Sequence, residues 1–284
     1  MKKKVPLSSK YLKKLFVCLL LILTAWLIYL FFVLQPSNNR DWEFGQKTLP
    51  SIQINNNIVK VQNIRDFHFK PKEIASTNYI NKTVDINNID KVWFLVEPFG
   101  KFKAVAHTYF VFDFKNESPL AVSVEARREK GEKYDAFIGA FNQYELIYIW
   151  STESDETIRR VIYEDNKLYM YPLKISSNGA KQLFLQLAEQ THSLETKPRF
   201  YNTLTSNCTN ELAKSASRVK PNAVPLNLAL FMPGYSVNEL YKLGYLPNNI
   251  PLEQLPEKYY VSDFVKRNYD QVDFTNKLRT FLSD

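Results

Sequence analysis

The 284-residue chain carries 37 Lys and Arg against 29 Asp and Glu, a formal net charge of +8 at pH 7. Lys2, Lys3, Lys4, Lys10, Lys13 and Lys14 all precede one apolar run, so the rest of the chain carries only +2. That small excess excludes the basic folded face on which a nucleic-acid binder relies, and no nucleic-acid partner is expected.

In chain order, residues 1–14 read as a basic cytoplasmic segment. Residues 15–34, LFVCLLLILTAWLIYLFFVL, carry no charge. At about 1.5 Å per residue they span the roughly 30 Å hydrocarbon core of a bilayer. The run is longer than the about 7–15 apolar residues of a cleaved signal and lacks a clear small-residue cleavage site. An uncleaved signal anchor is therefore expected, with a cleaved signal peptide as the alternative. The lysines should stay in the cytoplasm. The expected protein is thus single-pass in the inner membrane, with its main domain periplasmic or otherwise extracytoplasmic. Residues 35–54, with Pro36 and Pro50, read as a linker.

About 245 residues remain outside the membrane, enough for one domain with an ample core. Strand-like runs follow at IVKVQNIRDFHF and KVWFLVEPF. The clearest pair is KAVAHTYFVFDF and LAVSVEARRE, both alternating with period two around KNESP. A hairpin folded about Asn116 sets Phe112 against Leu120, Phe110 against Val122 and Thr108 against Val124 on one apolar face. The other face then carries Tyr109 opposite Ser123 and His107 opposite Glu125. Further strands are expected at YELIYIWST, RRVIYED and KLYMYPLKI. SSNGAKQLFLQLAEQTHSL reads as a helix capped by Ser176, Ser177 or Asn178. A second helix starts at or just after Cys208, with Leu212, Ala216 and Val219 at helical spacing, and stops before Pro221. Residues 55–222 form the expected thiol-bearing domain. Residues 223–284 read as a proline-rich C-terminal extension with short helical stretches.

Cys18 lies in the span and Cys208 outside it, so the two cannot pair. An unpaired exported cysteine is either buried and inert or a working thiol. A helix N-terminus offers free N–H groups and partial positive charge, which favour a thiolate and can hold an oxyanion. The thiol also needs a base, and the base an acceptor that orients it. His107 has a carboxylate expected across from it. It is the candidate base, unless it merely pairs with Glu125 in a buried polar face. Glu125 has its own alternative, a salt bridge to Arg127 or Arg128. His192 reads as a surface residue late in a helix, and His68 as a packed or edge residue. Asn202, Asn207 and Tyr109 are candidate substrate-positioning or oxyanion residues, although turn and cap bonding would also account for the two asparagines. No metal-ligand spacing and no Gly-rich phosphate loop occur, so no metal and no cofactor are expected.

NIRDFHF, AHTYFVFDF, LAVSVEARREKGEKYDAFIGAFNQYELIYI, YPL and RFYNTLTSNCTNEL, in this order, resemble the Lnb N-terminal periplasmic domain family. MPGYSVNELYKLGYL is similar to that family's C-terminal continuation, and the likeness covers roughly residues 55–265. It implies an α+β class and a permuted papain-like (NlpC-type) fold, with an antiparallel sheet packed against helices and the His strand ahead of the Cys helix. It carries Cys208 over as nucleophile, His107 as base and Glu125 as third residue. The activity it implies is cysteine-dependent acyl transfer on a membrane lipid or lipoprotein. A cysteine peptidase or amidase of cell-wall peptides and a non-enzymatic envelope binding module are the alternatives.

Overall fold

The computed structural model describes residues 9–100, 102, 104–225 and 227–283 of the chain; the side chains of residues 31, 32 and 228 lie outside that description. The chain divides into two units, residues 1–37 and 38–284. In the first, helix α1 (Ser9–Ile28) continues into one π-helical turn, Tyr29–Val33. The helix has a mean hydropathy of 2.0, is long and apolar enough to cross a membrane, and buries none of its residues.

The second unit is built on a nine-stranded sheet. Its early strands are β1 (Ser51–Asn55), β2 (Ile58–Arg65), the short pair β3 (His68–Lys70) and β4 (Glu73–Ser76), and β5 (Tyr79–Asp85). The central strands are β6 (Ile89–Pro98), β7 (Ala106–Phe114) and β8 (Glu117–Arg127). A helical turn, α2 (Ala136–Gly139), leads to β9 (Tyr144–Thr152), which runs directly into α3 (Glu153–Ile158). Then come β10 (Tyr169–Pro172), α4 (Ser177–Thr196), β11 (Phe200–Tyr201) and α5 (Cys208–Val219). The chain closes with α6 (Ser236–Lys242), α7 (Leu255–Lys258), α8 (Ser262–Asn268) and α9 (Phe274–Ser283). The sheet order is β1-β2-β9-β8-β7-β6-β10, with β5 on β2 and β11 on β9; β3 and β4 pair separately.

The α+β class is as expected, but the sheet is mixed: β2 meets β9 in parallel at Arg65↔Ser151. The β7–β8 hairpin has the expected register, with Phe112↔Leu120, Phe110↔Val122 and Tyr109↔Ser123. Period-two alternation then sorts its side chains. Phe112 meets Phe184 of α4 edge-on at 5.1 Å, and Trp150 of β9 does the same at 5.1 Å. Helices α4 and α5 therefore cover the face carrying Thr108, Phe110 and Phe112. The opposite face, carrying His107 and Tyr109, lies under α3 and the π-helical turn that follows it, with Arg160 over the Tyr109 ring at 4.9 Å.

Helix α4 starts where expected, with the Ser176 hydroxyl accepting from the Gly179 N–H. RRVIYED is not a strand. Thr152 caps α3, whose first turn holds Glu153, Asp155 and Glu156, and Arg159–Tyr163 form a π-helical turn. Its β-branched and aromatic residues suit a strand, but the buried carboxylates that receive Arg159 and Arg160 decide the conformation. The segment read as a linker carries buried Trp42, buried Gln46 and the start of β1. Asn38 is fixed by donating to the carbonyls of Leu194 and Glu195 and accepting from Arg127. The C-terminal stretch packs on the domain. Met170 donates to the Tyr259 carbonyl, and Arg279 of α9 grips Asp113 and Glu153.

Candidate active site

Cys208 is the first residue of α5. Asn207 precedes it with extended backbone and caps the helix, its Oδ1 accepting from the Asn210 N–H at 2.8 Å. The Asn207 amide also donates to the carbonyls of Thr203 and Leu230, so the asparagine is fully used in holding the helix start. The N–H groups of Cys208 and Thr209, in the first turn, have no intrahelical acceptor. The thiol is 4% exposed and stands 3.8 Å from the Thr209 hydroxyl. Thr209 in turn bonds Thr108 of β7 at 2.9 Å. Burial pushes the Cys208 pKa above its ordinary value of 9.0. The backbone N–H groups and hydroxyls of Thr108 and Thr209 pull it the other way without prevailing. The expected lowering by the helix start is thus outweighed by desolvation.

His107 sits one residue before Thr108, with its side chain on the other face of the sheet. Its ring stacks on Tyr109 at 6.0 Å, and its Nε2 lies 2.7 Å from the Ser123 hydroxyl. The β7–β8 ladder closes at Tyr109↔Ser123, so His107 does not face Glu125 across a rung. Ser123 instead links the two, donating to Glu125 Oε1 at 3.1 Å. Burial pushes the His107 pKa down to about 3, with Arg160 adding to the effect, so the imidazole is neutral. Ser123 has one hydrogen, and a carboxylate takes it. With the Ser123 hydrogen directed to Glu125, Nε2–H is the donor to Ser123, and Nδ1 is left with its lone pair. That is the tautomer a base needs if it is to accept a proton on the side away from its support.

Glu125 is held in turn. Arg159 donates to its Oε1 at 2.9 Å, Arg160 at 3.0 Å, and Gln46 reaches Oε2 at 3.2 Å. Burial alone would raise its pKa, but Arg159 and Arg160 hold it well below the usual carboxylate range. The same guanidinium groups bind buried Glu156, Arg160 also binds Glu97, and Arg65 bridges Asp155 and Glu156. Arg159 also pairs with Glu164 at 3.0 Å, so three guanidinium groups meet five carboxylates. Burial pushes Glu97 up to about 7, and raises Asp155 as well. His107, Glu125 and Glu156 each offer a ligand atom within 4.8 Å of the others, a geometry a metal ion could use. Arg159 and Arg160 already share those carboxylates, and their charge opposes a second cation there.

Among the described residues no hydrogen bond joins Cys208 to His107. The thiol stands on the α5 face of the sheet and the imidazole on the α3 face, with Thr108 of β7 between them. Tyr201 lies within electrostatic reach of both Cys208 and Glu125.

A family model described as the Lnb N-terminal periplasmic domain matches residues 75–234, more than half of the chain. The chain belongs to this family. No curated protein and no solved structure matches it. The Lnb-family domain together with α1 fits a single-pass membrane protein with an extracytoplasmic domain.

Of the other sequence candidates, Asn202 ties its turn together by donating to Ala140 and Asn142 and accepting from the N–H groups of Leu204 and Thr205. Tyr109 is buried between His107 and Arg160. His192 is exposed and bonds Glu195, and His68 is exposed on the small β3–β4 sheet. Sequence reasoning passed over Ser123, Thr108, Thr209, Arg159 and Arg160. Ser123 had a signal, since it shares the polar face of the hairpin with His107. The arginines had none, because they sat in a segment read as a strand.

Proposed function

We propose that this protein is a membrane-anchored, outward-facing, cysteine-dependent acyl-transfer enzyme of the permuted papain-like type. Cys208 is the nucleophile, His107 the base, and Glu125 the third residue acting through Ser123. The observation that carries this reading is the chain of contacts from Glu125 through the Ser123 hydroxyl to His107 Nε2; with the proton on Nε2, Nδ1 is left as an acceptor. A neutral imidazole and a protonated thiol are the starting states this mechanism requires. As the substrate carbonyl approaches, the thiol proton passes to His107 and sulfur bonds to the carbonyl carbon. The oxyanion is met by the N–H groups of the first turn of α5, which have no intrahelical acceptor. Collapse expels the alcohol of an ester, which takes the proton from His107 and leaves an acyl-thioester. An amine or water then attacks, the acyl group moves to it, and the thiol returns. In the structure the imidazole and the thiol lie on opposite faces of β7, so this transfer requires a rearrangement at the Ala106 end of that strand.

An apolar acyl chain has a suitable receptacle beside this site. A cavity of about 410 Å³ opens against α5, with Thr209 at its near end and Phe94, Phe110, Leu183 and Leu212 among its walls. That supports a lipid or lipoprotein ester as substrate over a cell-wall peptide, whose polar groups would be stranded there. The test is intact-mass analysis of the purified full chain in nanodiscs carrying a diacylated lipopeptide or phospholipid. An acyl adduct on Cys208, with product release, is expected, and Cys208→Ala should form none. The burial of the thiol favours one other reading, a lipid-binding module with an idle cysteine. It prevails if Cys208→Ala keeps full function in cells.

A further inference from the structure

The ends of the sheet differ in what they show to solvent. Because β6, β7, β8 and β9 run antiparallel in order, the β6–β7 and β8–β9 connections emerge at the same end. This is the end where Cys208 begins α5. Phe102 projects from the first connection at 77% exposure, and Phe137 from the second at 75%, with Ile138 exposed beside it. Two further segments meet there. The turn holding exposed Leu204 is tied to the β8–β9 connection by the Thr203 N–H donating to the Gly139 carbonyl at 3.2 Å. The segment holding exposed Phe231 and Met232 is tied to the β6–β7 connection by the Gly234 N–H donating to the Ala104 carbonyl at 3.1 Å. Both converge on α5, where the Asn210 amide donates to the carbonyls of Leu204 and Leu230. Large apolar side chains from four separate segments therefore ring the helix start that carries the thiol. Singly exposed apolar residues are ordinary, but a convergent group marks a contact surface.

The tether says which contact. The apolar run ends at Leu34, and Asn38 is already fixed to Leu194 and Arg127. Four peptide steps reach at most about 14 Å. The chain joins the domain at this same end, with Trp42 bridged to Glu129 just past β8 and Arg40 paired to Glu145 of β9. The opposite end, at the β7–β8 turn, shows Lys115 and Asn116 to solvent.

We propose that the domain docks end-on to the phospholipid bilayer, sinking this apolar ring into the interface and setting the start of α5 at the level of the headgroups. The inference rests on α1 spanning the membrane and not on acyl transfer. Its occupant is lipid, because the short tether keeps this end within reach of the bilayer and apolar side chains partition there.

The experiment places tryptophan at Phe137, and separately at Val272, an exposed residue near the opposite end. Each full-length variant is reconstituted in phosphatidylethanolamine–phosphatidylglycerol nanodiscs with or without brominated acyl chains. Circular dichroism confirms the fold. Over the background of the native tryptophans, Phe137→Trp should add blue-shifted emission that loses at least half its intensity to bromolipid, while the emission added by Val272→Trp is red-shifted and unaffected. Equal insensitivity of both positions to bromolipid overturns the proposal. So does a Phe137→Trp signal that is shielded from acrylamide yet unaffected by bromolipid, the mark of a protein partner. Either result leaves a Cys208 adduct, or its absence, to be judged separately.

Discussion

Ser123→Ala removes one oxygen from the centre of the proposed relay and leaves Glu125, Arg159 and Arg160 in place. The oxygen lost bonds His107 Nε2 at 2.7 Å and donates to Glu125 at 3.1 Å. A hydrogen bond in contact with a charged group is worth about 1.5–3 kcal/mol. At about 1.4 kcal/mol per tenfold, acylation of Cys208 should fall roughly 10- to 150-fold. Folding stability should fall by about 1–3 kcal/mol, because the imidazole N–H is left buried without an acceptor. Two assays separate the effects. Acyl-adduct formation followed by mass spectrometry at saturating probe reads the chemical step. Nitrogen NMR of histidine-labelled protein reads the tautomer: wild-type His107 should carry its proton on Nε2, and the variant should show mixed tautomers. Ser123→Thr, which keeps the hydroxyl, should recover most of the rate. The reasoning is refuted if wild-type His107 carries its proton on Nδ1, or if Ser123→Ala acylates Cys208 at the wild-type rate.

Other outcomes follow from groups already described. The His107 pKa is lowered from its unfolded value of 6.5 to about 3, so between these values the unfolded chain binds a proton that the folded one does not. Its contribution to stability is complete above pH 6.5 and drains away as pH falls toward 3. The stability advantage of wild type over His107→Gln, read by urea unfolding, should therefore shrink between pH 7 and pH 4. Ala213, which lines the apolar cavity, offers a way to fill it. Ala213→Phe should raise KM for long-chain esters several-fold while leaving short-chain esters unchanged. Arg279→Met removes the guanidinium that pairs with buried Glu153 at 2.6 Å and with Asp113 at 2.5 Å, leaving Asp113 to the Trp93 indole N–H. It should cost about 3 kcal/mol, or roughly 10 °C in Tm, and free α9 to proteolysis.

The β7–β8 hairpin was legible in the sequence because strict alternation and a short polar turn leave one register that buries Phe110 and Phe112 together. The caps of α4 and α5 were legible for a similarly local reason, a polar side chain three residues ahead of the N–H it receives. The support of His107 was only half legible. The alternation put Glu125 on the correct face, but the two strands diverge a rung early and insert Ser123 between the partners. Nothing local marks that departure. The arginine–carboxylate cluster was hidden because its members come from β2, β6, β8, α3 and the π-helical turn, and long-range charge pairing leaves no period in the sequence. The anchoring of residues 38–46 was hidden likewise, since Asn38, Trp42 and Gln46 find their partners on β8, α4 and the segment just after β8.

The buried arginine–carboxylate cluster also bears on where the protein works. Mobile ions weaken attractions that run through water, whereas Glu97, Glu156 and Arg160 are almost wholly sealed from it. Outside the cytoplasm the salt level follows the surroundings. The hold on the histidine should therefore persist unchanged from dilute to saline media, a constancy that surface ion pairs could not supply.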